Sequence, residues 1–218
     1  MPNIAIDGPA GSGKSTVARM LAHKLGYVYI DTGAMYRALT LKAIENNIDV
    51  NDEEAMTNLA NNTVIELKPG DIQEVYSDKR RVTEEIRRPD VSGHVSLVAK
   101  HQGVREKLLI FQQEIALKSN VVMDGRDIGT KVLPNAEYKF FVDANIEART
   151  ERRYIELTAS GYDITREVIK DMLLERDNQD STRQFSPLLK AEDAILIDTT
   201  SLTPKEVVDT MYSIIKGD

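Results

Sequence analysis

Short apolar runs alternate with longer amphipathic stretches along most of the chain, the pattern of a parallel sheet whose strands are joined by helices. Five runs qualify as strands: Ile4 to Asp7, Tyr27 to Ile30, Val121 to Asp124, Tyr138 to Asp143 and Ile195 to Asp198. Helix starts are marked by Asn145 before Ile146, by Thr165 before Arg166, and by Thr203 followed by Pro204. A short side-chain oxygen at such a position accepts a free amide of the first turn, and proline just inside the helix sacrifices no hydrogen bond. Gly26 and Gly161 follow helical stretches, where a left-handed residue closes the last turn. The rhythm breaks between Thr63 and Val82. There Ile65 and Leu67 alternate with polar neighbours, Pro69-Gly70-Asp71 reads as a turn, and Gln73 to Tyr76 and Lys79 to Val82 read as further short strands. The expected fold is α/β, a five-stranded parallel sheet flanked by helices with a small antiparallel insert. No internal repeat or linker divides residues 1–218, so a single domain is expected.

Composition narrows the classes of function. A chain of 218 residues, 41% of them hydrophobic, can bury a core without disulfide or metal staples. It has no cysteine, which excludes disulfides, thiolate zinc sites, iron–sulfur clusters and cysteine nucleophiles, and fits a reducing compartment. With 28 Lys and Arg against 35 Asp and Glu the formal net charge is −7, which argues against a general nucleic-acid binder. No apolar run approaches the ~18 residues of a membrane span, and the start lacks a cationic segment followed by an apolar one. The expectation is a soluble cytoplasmic protein.

The first strand runs directly into Gly8-Pro9-Ala10-Gly11-Ser12-Gly13-Lys14-Ser15, and the amphipathic run from Thr16 to Leu25 follows. This is the P-loop pattern in its proper context between strand and helix. Glycines let backbone N–H groups turn inward around phosphate oxygens at the positive end of the helix. Lys14 would reach the β and γ phosphates of a nucleoside triphosphate, and the Ser15 hydroxyl would take a place on Mg²⁺. The alternative is a Gly-rich turn that only connects strand to helix.

A P-loop alone does not separate a kinase from a GTPase or motor. The chain has no Asn-Lys-x-Asp motif for guanine, and beyond the second strand stands Asp31-Thr32-Gly33-Ala34-Met35-Tyr36-Arg37. A helix opening at Gly33 would bring Thr32 and Tyr36 together at i, i+4, with Arg37 adjacent. A third strand ends at Asp124-Gly125-Arg126-Asp127, and in an open parallel sheet such segments converge outside the carboxyl ends of the strands. Arg149, Arg152 and Arg153 share one helical face; Arg176, Asp180 and Arg183, at i, i+4, i+7, share another. Each could be a solvated face. Two Arg-rich stripes in an acidic P-loop protein point instead to phosphate, which the planar guanidinium grips in pairs.

Together these segments resemble the bacterial-type cytidylate kinases, within the nucleoside monophosphate kinases. The resemblance rests on the P-loop at Gly8 to Thr16, on residues 31–37, on Val104-Arg105-Glu106, on Asp124-Gly-Arg-Asp-Ile-Gly-Thr130, and on the run from Arg176 through Asp180 and Arg183 to Leu188. It implies a P-loop kinase core with a CMP-side insert at about 63–95 and a helical lid at about 146–165. It implies transfer of the γ-phosphoryl of ATP, with Mg²⁺, to CMP or dCMP. Arg37, Arg126 and Arg183 would hold the acceptor phosphate, Arg176 and Asp180 the sugar, and Ser96, Arg105 and Asp127 the base. Arg149, Arg152 and Arg153 would belong to the lid. Small-molecule substrates and a monomer are the expected partners and state, with no nucleic acid and no membrane.

The chemistry supports these roles independently. Phosphoryl transfer asks for positioning and charge neutralisation, and an acceptor monophosphate is largely ionised at neutral pH, so no general base is needed. Cytosine offers an amino donor where uracil offers a carbonyl, which makes Asp127 the expected discriminator; its alternative is simple pairing with a neighbouring arginine. Asp124 has two open readings, a water-mediated place on Mg²⁺ or a structural hydrogen bond. His23, His94 and His101 lack metal spacing and read as structural or surface residues, and Arg80-Arg81 and Arg87-Arg88 as solvated ends of the insert. Two other functions compete: a P-loop kinase for a hydroxylated metabolite such as shikimate or gluconate, and a regulatory nucleotide-binding module with a protein partner. The first would need a carboxylate base for the hydroxyl, the second a GTP preference or a partner-dependent rate.

Overall fold

A computed structural model of the chain describes residues 2–70 and 73–217. Its centre is a five-stranded parallel sheet in the order β2-β6-β1-β7-β8. The strands are β1 (Ile4–Asp7), β2 (Val28–Asp31), β6 (Val121–Gly125), β7 (Tyr138–Asp143) and β8 (Ile195–Asp198). Period-2 alternation sends their side chains to two cores. On one face Ile4, Ile6, Val122 and Phe140 pack against Val17 and Leu21 of α1 (Lys14–Leu25) and Val207 and Met211 of α8 (Pro204–Lys216). On the other, Ala5, Val121 and Met123 join the cluster built by α2 (Thr32–Glu45), α4 (Pro89–Ala99) and α5 (Gln102–Lys118), with α3 (Glu53–Asn61) contributing Met56.

The insert is a three-stranded antiparallel sheet of β3 (Ile65–Lys68), β4 (Glu74–Ser77) and β5 (Arg80–Arg81). The two-residue turn between Ser77 and Arg80 places both Asp78 (φ 49°) and Lys79 (φ 70°) in the left-handed region, as a tight hairpin requires. The expected turn at Pro69-Gly70-Asp71 runs outside the described residues. Ile65, Val75, Val82 and Ile86 belong to the same core as α2, so the insert is seated on the main body. The two remaining helices, α6 (Ile146–Ala159) and α7 (Arg166–Thr182), meet the P-loop through a small third cluster of Ala10, Leu157, Ile169 and Leu173.

Caps fall where the sequence placed them. Asn145, Thr165 and Thr203 accept amides of their first turns, and Thr203 forms a reciprocal capping box with Glu206. Gly26 and Gly161 are left-handed. Several strand ends differ from expectation by one or two residues, and three differences have a plain local cause. Tyr27 is not in β2, because its amide is spent on Ala22 in closing α1. Helix α2 opens at Thr32 instead of Gly33, because the Asp31 carboxylate accepts the Ala34 N–H and caps it. Helix α7 ends at Thr182, so Arg183 lies beyond it in extended backbone (φ −60°, ψ 143°) and the expected i, i+4, i+7 face is not continuous.

Candidate active site

Strand register brings the chemistry to one edge. Asp7 pairs with Gly125, and Asp31 with Asp124, so the segments leaving β1, β2 and β6 emerge level with one another. They surround an open cavity of about 800 Å³.

The P-loop forms one wall. Gly8 is pressed so tightly onto β7 that a Cβ there would lie 2.0 Å from the Val142 carbonyl oxygen. Gly11, with φ +75°, backs onto α6, and a Cβ would sit 3.2 Å from both the carbonyl oxygen and Cβ of Arg149. Residues Ala10 to Thr16 line the cavity. Pro9 lies behind them and accepts the Lys14 ammonium on its carbonyl at 3.0 Å. Burial, and then the field of Arg126, push Lys14 down to about 7. The Ser15 hydroxyl donates to Asp124 Oδ2 at 2.7 Å, and the Tyr29 hydroxyl donates to Oδ1 at 2.8 Å. Asp124 thus holds the hydroxyls of Ser15 and Tyr29 in place beside the cradle. Burial, reinforced by Asp31, raises its carboxyl to about 6.

Opposite the P-loop, every residue expected on the acceptor side lines the same cavity: Thr32, Tyr36, Arg37, Ser96, Arg105, Arg126, Asp127, Arg176, Asp180 and Arg183. Three carboxylates hold the arginines in place. Asp31 pairs with Arg37 at 2.6 Å. Asp180 receives Arg126 Nε at 2.7 Å and the Ser96 hydroxyl at 3.3 Å, with Arg183 at 3.5 Å and Arg176 at 3.9 Å. Burial opposes ionisation of Asp180, but Arg126, Arg176 and Arg183 outweigh it and hold the carboxyl at about 2. Asp127 pairs with Arg105 and stands 3.8 Å from Arg183. Arg105 is steadied by the Ala99 carbonyl at 3.1 Å and by the Tyr36 ring, whose centroid is 5.4 Å from the guanidinium carbon. Thr32 donates to the Asp124 backbone oxygen at 2.8 Å.

The three arginines of α6 divide. Arg153 lines the cavity and pairs with Glu156 at 2.7 Å. Arg152 also lines it and ties Ser12 (3.2 Å) to Thr199 (3.1 Å). Arg149 is buried behind the P-loop, donating to the Ala144 and Ala10 carbonyls at 3.0 and 3.2 Å and pairing with Asp177.

Some site residues were not legible in the sequence. Gln73 is buried on the cavity wall, where its Oε1 accepts the Asp31 N–H at 3.1 Å. Its polarity in a strand-like run gave no signal of burial. Arg87, expected to be solvated, lines the cavity and lies 3.7 Å from Asp31, whereas Arg80, Arg81 and Arg88 pair with surface carboxylates as expected. His101 is buried against the Val50 carbonyl, and His23 and His94 are exposed. Among the described residues no three His, Cys, Asp or Glu gather to hold a metal, and no helix is long and apolar enough to cross a membrane.

A P-loop facing a second, arginine-rich compartment is the layout of a kinase with an anionic acceptor, and the comparisons decide which family. The sequence model of cytidylate kinase matches residues 4–217. The chain belongs to the cytidylate kinase family. A relative named cytidylate kinase from Bacillus cereus (strain B4264) is 51% identical over 216 residues, covering 99% of this chain and 96% of its own. Another cytidylate kinase, from Caldicellulosiruptor bescii, is 49% identical over 221 residues, with coverages of 99% and 98%. Among solved structures, a shikimate kinase from Acinetobacter baumannii superposes with a TM-score of 0.51 at 16% identity, covering all of this chain and 94% of that one. That likeness is one of fold alone. The Asp127 and Asp180 clusters set this site apart from a bare phosphate cradle.

Proposed function

We propose that the protein transfers the γ-phosphoryl group of ATP to CMP or dCMP, giving ADP and CDP or dCDP. The observation that carries this reading is the second compartment itself, in which Asp127 and the arginine-ringed Asp180 stand across the cavity from the P-loop. The names of the curated relatives support it.

In this mechanism the amides of Gly11 to Ser15 and the ammonium of Lys14 receive the triphosphate, which restores full charge to a lysine that burial has weakened. Arg37, Arg126 and Arg183 bind the acceptor phosphate and offset the repulsion between the two anions. Asp180, oriented by Arg176, accepts from the sugar hydroxyls. Asp127, oriented by Arg105, accepts from the cytosine amino group, and Ser96 completes the base site. Arg152 and Arg153 stand on the donor side, where they neutralise charge on the moving phosphoryl group and exclude water. The oxygens of Ser15 and Asp124 suit Mg²⁺, a hard cation that takes few protein ligands beside phosphate and water. When bound, it would neutralise phosphate charge.

The deciding test is release of ADP from ATP and Mg²⁺ with CMP, dCMP, UMP, AMP, shikimate and gluconate offered separately. CMP and dCMP should give the highest kcat/KM. A preference for either hydroxyl acceptor would overturn the assignment.

A further inference from the structure

Asp7 ends β1 and is the residue before the phosphate cradle, yet it is absent from the cavity wall and is only 4% exposed. None of the ion pairs among the described residues includes it; the nearby Lys139 is turned away to Asp193, at 2.7 Å, and to the Pro134 carbonyl. An uncompensated carboxylate in such a place is costly, and an apolar residue like its buried neighbour Ile6 would avoid that cost. What Asp7 does with its two oxygens is specific. Oδ1 accepts the N–H of Ile128 and Oδ2 the N–H of Gly129, both at 2.8 Å. These amides belong to the two residues directly after Arg126-Asp127 and open the helical turn Ile128–Val132. The backbone on the other side of Asp7 continues into Gly8, which is itself locked onto Val142.

We propose that Asp7 is a positioning residue: its carboxylate clamps the segment carrying Arg126 and Asp127 to the root of the P-loop and so sets the distance and angle between the donor cradle and the acceptor site. This deepens the function proposed above and rests on it. Main-chain pairing between β1 and β6 ends at Asp7 and Gly125, one residue short of Arg126. Beyond that point the Asp7 clamp continues what the strand ladder no longer supplies. Arg126 in turn reaches Asp180, so a shift at the clamp would be passed to both halves of the acceptor compartment.

Two variants disturb the clamp from opposite sides. Asp7→Asn keeps the shape, but one oxygen becomes an NH₂ group that faces an N–H donor. Gly129→Ala keeps Asp7 itself and adds a Cβ that touches its Oδ2 at 3.4 Å and crowds Lys139 Cδ at 3.2 Å, so the lysine stem beside the clamp must give by a few tenths of an ångström. The experiment measures folding by circular dichroism, ATP affinity by calorimetry without acceptor, and kcat/KM for CMP and UMP. The expected result in Asp7→Asn is ATP affinity within about twofold of wild type, while kcat falls about 10- to 100-fold, as small misplacements of reacting groups do. The CMP over UMP ratio falls with it, and Gly129→Ala shows the same split more mildly. Wild-type kcat and base preference in folded Asp7→Asn would overturn the proposal, as would a loss of ATP affinity that accounts for the whole loss of activity. If Asp7→Asn fails to fold, Gly129→Ala decides by the same criteria. If the wild type proves to favour another acceptor, the activity reading falls, and the same split, measured with that acceptor, still judges the clamp.

Discussion

Arg126 and Asp180 meet through one Nε to Oδ2 hydrogen bond of 2.7 Å, which joins the segment after β6 to the last turn of α7. The pair is the hub of the acceptor compartment, since Ser96, Arg176 and Arg183 approach the same carboxylate. With a folded-state value of about 2 against 3.8 for an ordinary aspartate, Asp180 contributes stability that is present in full above about pH 4 and is lost as pH falls toward 2. The contribution is about 2 kcal/mol. Asp180→Asn should therefore be less stable than wild type at neutral pH, with the difference narrowing from pH 4 to pH 2. Urea unfolding across that range checks it; a constant difference would show that the arginines do not hold Asp180 ionised. The same variant should lose activity with both CMP and dCMP through their shared 3′-hydroxyl.

Lys14→Ala should abolish transfer by at least about 100-fold while the protein stays folded, because the ammonium neutralises charge that grows as the phosphoryl group departs. It is buried with burial already working against its charge, so removal should not cost stability. Circular dichroism and ADP release together test this, and near-wild-type turnover would remove the P-loop from the mechanism.

The Asp127–Arg105 pair makes a sharp prediction about base identity. A single well-formed base contact is worth about 1–3 kcal/mol, or roughly 5- to 200-fold in specificity. Asp127→Ala should lose kcat/KM on CMP far more than on UMP, and Asp127→Asn, whose amide can donate to the uracil carbonyl, should narrow the gap further. An unchanged CMP over UMP ratio in both variants would assign base reading to Ser96 and Arg105 instead.

Two arginines one helical turn apart should fail in different ways. Arg149→Ala leaves Asp177 without its partner and the Ala10 carbonyl without a donor, so it should destabilise the fold by about 1–3 kcal/mol. Among the described residues Arg153 pairs only with Glu156 on its own helix, and Arg153→Ala should leave the thermal midpoint unchanged while lowering kcat. Melting curves and steady-state kinetics on the two variants separate the roles; equal loss of stability would refute the division.

The parts of this fold that were legible in the sequence are those fixed locally. All five parallel strands and the caps at Asn145, Thr165 and Thr203 depend on side-chain alternation and on the chemistry of a single turn. The cradle was legible because its glycines and lysine are contiguous. What escaped is what only packing decides. Helical spacing put Arg183 on the α7 face, but the helix stops one residue earlier, and the side chain reaches the site from a loop. Gln73 and Arg87 gain their places because the insert docks against α2, a contact no local pattern encodes. Helical spacing makes Arg149 equivalent to Arg152 and Arg153, and only the packing of Gly11 against it sets it behind the loop.

That contact between Gly11 and Arg149 also sets a pivot. A helix whose second turn leans on the donor loop, with Arg149 bridging to Ala10 and Asp177, has no room to swing there without dragging the cradle with it. Leu157, packed with Ala10 in the third cluster, is a second anchor, so any hinged closure would have to begin beyond it, with residues 158–165 as its arm. The arm is short and rooted in the very loop that grips the triphosphate, so loosening the donor grip and freeing the hinge become one mechanical event.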